Sequence, residues 1–186
     1  MDNDWNEISE LKERDINVLQ IIDEENLTYF TFEGLRRRLK IHQETLSRIL
    51  NRLTEEKILK KINSHYALTS KAKDLLNTQN QTSDSRTLPL LKTFLPPEIP
   101  FDKIVSNLKG RWFGTLRWLG YYKTNEDVVL KWITTDGGII LSATFSKSEL
   151  LIGAKMVSQN DLNAALTASY QLMSYITKLI SKTEHN

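Results

Sequence analysis

No cysteine occurs in the 186 residues. That excludes disulfides, thiolate metal sites and cysteine nucleophiles, and it fits a reducing compartment. Long apolar runs are missing too: none approaches the ~20 residues that span a bilayer. The opening stretch MDNDWNEISE is acidic and has no apolar core, so we expect no signal peptide, no membrane partner and a cytoplasmic protein. Histidine is scarce, and His42, His65 and His185 are scattered with no Glu/His pair at zinc spacing. No glycine-rich phosphate loop follows a strand, and no serine lies in a nucleophile elbow. We therefore expect no enzyme, no cofactor and no metal. There is no internal repeat.

What is present is a segregation of charge. Residues 1–33 hold two cations against ten acids, a balance of −8, whereas residues 34–73 hold five Arg and six Lys against Glu44, Glu55 and Glu56, a balance of +8. Two readings stand: a phosphate-binding surface, or an acidic segment that neutralises a basic one within the fold.

Apolar spacing then divides the first 77 residues. LKERDINVLQIIDEE (11–25) has helical periodicity, LTYF (27–30) is a short strand, and Thr31 suits the N-cap of FEGLRRRLK (32–40). In HQETLSRILNRL (42–53), Leu46, Ile49, Leu50 and Leu53 fall at i, i+3, i+4 and i+7, one stripe of a helix running to about Glu56. ILKKI (58–62), the turn NSH and YAL (66–68) predict a hairpin, and Thr69 or Ser70 caps a final helix.

Three helices followed by a hairpin resemble the winged helix-turn-helix. LKERDINVLQII, FEGLRRRL, ETLSRILNRLTEEKILKK and ALTSKAKDLL look like the successive segments of MarR-like and ArsR-like transcription regulators. The resemblance covers about residues 8–77. It implies a third helix in the major groove, double-stranded DNA as partner, and a homodimer on a palindrome. The chain departs from the family at Lys40 and Ile58, where glycine is usual, and in a wing of only Asn63-Ser64-His65. Recognition then falls mainly on the helix. Gln43, Glu44, Ser47 and Arg48 are the candidate base readers. Arg37, Arg38, Lys40, Asn51, Arg52, Lys60 and Lys61 are candidates for the phosphates. The competing reading of Arg48 and Arg52 is an ordinary helix ion pair, to Glu44 and to Glu55 or Glu56.

Residues 78–100 read as a linker whose second half, with Leu88, Leu90, Leu91, Phe94 and Leu95, docks on something. Residues 101–182 read as an α-β-β-β-β-α domain: helix FDKIVSNLKG, four strands joined by short connections and hence antiparallel, and a long helix to about Ser181 opened by a capping box at Ser158–Asp161. The expected whole is an α+β chain. Alternation along RWFGTLRWLGYY puts Trp112, Leu116 and Trp118 on one face, core against the long helix. Phe113, Arg117 and Tyr121, with Lys131 on the next strand, then form a candidate ligand or interface surface for a small anionic or aromatic effector. The alternative to a regulator is a winged-helix adaptor of the transcription machinery.

Overall fold

The computed structural model describes residues 12–76, 86–158 and 161–183. They are arranged in two compact units, Met1–Asp84 and Ser85–Asn186. The chain is α+β, with antiparallel strand pairing throughout and a long C-terminal helix. No helix among the described residues is long and apolar enough to cross a membrane.

The first unit begins with α1 (Glu13–Glu24), which buries Val18, Leu19 and Ile22. Strand β1 (Tyr29–Thr31) leads directly into α2 (Phe32–Leu39), where the Thr31 hydroxyl accepts the Gly34 N–H at 3.1 Å, the expected N-cap. Helix α2 stops at Lys40, which sits in the left-handed region at φ 54° and donates its N–H to Arg36 O. Helix α3 (Gln43–Glu55) follows and buries Leu46, Ile49, Leu50 and Leu53. Full burial of each such side chain is worth about 1.5–3 kcal/mol. Strands β2 (Leu59–Ile62) and β3 (His65–Leu68) form a hairpin with Asn63 at φ 55°, and the order across this unit is β2-β3-β1. Helix α4 (Ser70–Leu75) closes the unit, capped by Thr69, whose hydroxyl accepts from Ala72 N.

In the second unit, β4 (Leu88–Phe94) precedes α5 (Phe101–Leu108), β5 (Leu116–Lys123), β6 (Val128–Thr134), β7 (Ile139–Phe145), β8 (Glu149–Met156) and α6 (Leu162–Thr183). The five strands run in the order β5-β6-β7-β8-β4. Residues 88–94 were expected within a linker and are instead a strand paired with β8. Pro89 sits at a register shift beside β8, the setting in which a strand tolerates a residue without an N–H. Residues 77–85, the polar half of that expected linker, lie outside the described residues.

The core of this unit joins Leu116, Trp118, Trp132, Leu141 and Phe145 from the sheet to Ala165, Ala168, Leu172 and Ile176 of α6. Trp132 donates its Nε1–H to Arg111 O at 2.9 Å, so the largest buried side chain is also polar-satisfied. The cap of α6 is Asp161, whose Oδ1 accepts Ala164 N at 3.0 Å; of the expected capping box, Gln159 and Asn160 lie outside the described residues.

Candidate nucleic-acid interface

Helix α3 has two dissimilar sides. Its apolar stripe is buried, while Gln43, Glu44, Arg48 and Asn51 are exposed and Ser47 is half-buried. His42, Gln43, Glu44 and Ser47 line one shallow depression at the start of the helix. Arg48 donates from Nη2 to Glu44 Oε1 at 2.5 Å, one turn apart, with 71% of its side chain in solvent. Exposed pairs of this kind hold weakly and yield readily to a stronger partner. Glu44 also lies in the first turn, where a carboxylate complements the helix dipole.

The expected phosphate residues divide into two groups. Arg52 directs both guanidinium contacts at the buried carboxylate of Asp15 on α1, Nη2 to Oδ1 at 2.5 Å and Nε to Oδ2 at 3.0 Å. That hydrogen bond, stronger than the opposing desolvation, raises the guanidinium above its ordinary value. Arg38 donates to buried Glu25 at 2.7 Å and reaches Glu24 at 3.4 Å. Arg37 lies 3.8 Å from Glu33, with four-fifths of its side chain buried. Arg37, Arg38 and Arg52 all make ion pairs inside the unit, the internal neutralisation that the charge blocks also allowed. Arg36 likewise pairs with Glu33 at 3.0 Å. Lys40, Asn51, Lys60 and Lys61 remain exposed, Lys60 and Lys61 on the hairpin strand β2, with Lys61 Nζ 5.9 Å from the Tyr66 ring centre.

The candidate ligand face in the second unit is rearranged. Residues 113–116 form a tight turn around Gly114 (φ 51°), closed by a bridge between Phe113 and Leu116. The alternation expected to run from residue 111 therefore starts at Leu116. Phe113 enters the core, 5.6 Å from Trp132 and 4.7 Å from Tyr175 between ring centres. Trp112 swings out to 63% exposure. A bulge between Trp118 and Gly120 then shifts the register and brings Tyr121 beside Trp118, with the Lys109 ammonium 4.0 Å over its ring. Lys109 is lowered from its ordinary value, first by desolvation and then by Lys123. Only Arg117 and Lys131 stay on the face opposite the helix, and Lys131 is 3% exposed.

Sequence reasoning passed over a groove beside Trp112 that includes Tyr170, Gln171 and Lys178 of α6. The signal was available: these positions lie off the apolar stripe of a helix whose outer face carries few charges. Among the described residues, no group of three His, Cys, Asp or Glu side chains is arranged to hold a metal. No family model matches the chain, and no curated protein matches it.

Proposed function

We propose that the first unit is a winged helix and that the protein is a sequence-specific, double-stranded-DNA-binding transcription regulator. In this reading α3 enters the major groove, and the second unit dimerises, senses an effector or does both. The observation that carries the reading is the two-sidedness of α3. A helix anchored by Leu46, Ile49, Leu50 and Leu53 presents Gln43, Ser47 and Arg48 from its first turns, the part of a recognition helix that reaches bases. Gln pairs bidentately with adenine and Arg with guanine, each good pair discriminating by about 1–3 kcal/mol. Arg48 reaches a base by exchanging Glu44 for it. Lys40, Lys60 and Lys61 supply backbone contacts, which position without reading.

The experiment is selection from randomised duplexes followed by gel shift at low salt. The expected result is an enriched motif, with Gln43→Ala plus Arg48→Ala retaining non-specific binding and losing the preference. Absence of any duplex binding would sink the reading. The adaptor alternative draws on one observation, the Glu44–Arg48 pair, which leaves the outer face of α3 nearly neutral. Under that reading the double variant leaves DNA behaviour unchanged.

A further inference from the structure

We propose that the second unit binds a planar aromatic anion in the groove between α6 and the turn that precedes β5. This goes beyond the DNA reading and does not require it. The groove is open and measures about 650 Å³, within the range of small-molecule sites. Its floor is fixed by Phe113, clamped between Trp132 and Tyr175. Two large aromatic side chains, Trp112 and Tyr170, flank it while 63% and 65% exposed. Neither exposure is explained by packing, and exposed aromatic area beside a concavity is what a stacking ligand uses.

Trp112 is nevertheless held in place. The Arg117 guanidinium lies 4.7 Å from its ring centre and is itself fixed by donating to Gly114 O at 2.8 Å and Leu116 O at 3.1 Å. A cation over one ring orders the indole without hiding it. Gly114 serves the same geometry, since the turn there needs φ 51°, a backbone conformation that favours glycine, and the side-chain amide of Gln171 on the groove wall lies close against it. The lining contains Lys178 and no carboxylate, and Lys178 has no acidic partner among the described residues. Gln171 and Ser174 add neutral hydrogen-bonding groups. Aromatic walls with a single positive charge select a flat ring bearing a carboxylate or similar anion. A second copy docked by two-fold symmetry would set the same cation-bearing surface against itself, so the small anion fits better.

The test is calorimetric titration of the full-length protein with 2-naphthoate and with its neutral analogue 2-naphthylmethanol, accompanied by light scattering. We expect saturable binding of naphthoate, about tenfold tighter than the alcohol, the value of one charge-assisted contact. Lys178→Gln should abolish that difference, and Trp112→Ala should weaken both ligands; both positions are exposed, so melting temperatures should hold. No binding, equal affinity for the two probes, or an unaltered difference in Lys178→Gln overturns the proposal. A mass that doubles with concentration and reverts in Trp112→Ala also overturns it, assigning the groove to a second copy. Gel shifts on the same variants bear only on the DNA reading.

Discussion

Arg52 projects from the last turn of α3, yet both of its guanidinium contacts run to Asp15, 37 positions earlier. Asp15 is fully buried and also accepts the Lys12 backbone N–H at 3.1 Å, so losing Arg52 strands a carboxylate away from water. Breaking a buried pair costs roughly 3–5 kcal/mol; since Arg52 is partly in solvent, we expect about 2–3 kcal/mol for Arg52→Ala. For a domain of this size that lowers the melting temperature by on the order of 10 °C. Arg52→Lys should recover little, because one ammonium cannot reproduce the two-pronged contact. An unchanged melting temperature in Arg52→Ala would remove the residue from the structural side of the ledger. Asp23, in the last turn of α1, runs the other way. Burial raises its carboxyl above the ordinary value, so the folded chain holds that proton more tightly than the unfolded one. Its contribution is most favourable at low pH and is lost as pH rises through the folded value. Asp23→Asn should therefore stabilise the protein at pH 7, with a gain that shrinks as pH falls to where the carboxyl is protonated in both states. Thermal melts of both proteins across pH 3–7 read this directly; a gain that grows on acidification would refute it.

At the scale of elements, Lys40 is both the C-cap of α2 and a candidate phosphate contact. It ends α2 at φ 54° and ψ 35°, a conformation that costs a non-glycine residue about 1 kcal/mol or more. Lys40→Gly should stabilise by roughly 0.5–1 kcal/mol in denaturant unfolding while weakening duplex binding if Lys40 contacts a phosphate. A variant that is both more stable and equally tight on DNA would take Lys40 off the interface. The helices were legible in the sequence because their signals are local: the i, i+3, i+4 stripe of α3 and the Thr31 and Thr69 caps all act within one turn. Strand β4 was not, since Pro89 and the Pro96-Pro97 pair carry linker chemistry and the partner strand lies some sixty residues on. Nor was the facing of Phe113 and Tyr121. Alternation predicts faces only along an uninterrupted strand, and a left-handed glycine and a bulge interrupt this one. The site was legible in the same proportion. The i, i+4 pair of Glu44 and Arg48 followed from spacing, whereas Arg38 with Glu25 and Arg52 with Asp15 are tertiary pairs that no spacing rule reports.

For the whole molecule, the internal pairing of arginines reduces what is left to meet a phosphate backbone. The net charge is only +2, and the expected phosphate cations that stand exposed are Lys40, Lys60 and Lys61. Each phosphate neutralised releases counterions, and the logarithm of the binding constant falls with the logarithm of salt at about −0.9 per contact. One chain on DNA should therefore give a slope of roughly −3, and a dimer on two half-sites roughly −5 to −6. Fluorescence anisotropy on the selected duplex, across about 50–300 mM salt, measures the slope, and sedimentation of the same complex gives the number of chains. Lys60→Ala and Lys61→Ala should each flatten the slope by about 1 per chain without changing the preferred sequence. A slope near −3 with one chain per duplex excludes the dimer while leaving DNA reading intact. A slope near zero at any stoichiometry excludes the phosphate surface itself, and the outer face of α3 then belongs to a protein partner.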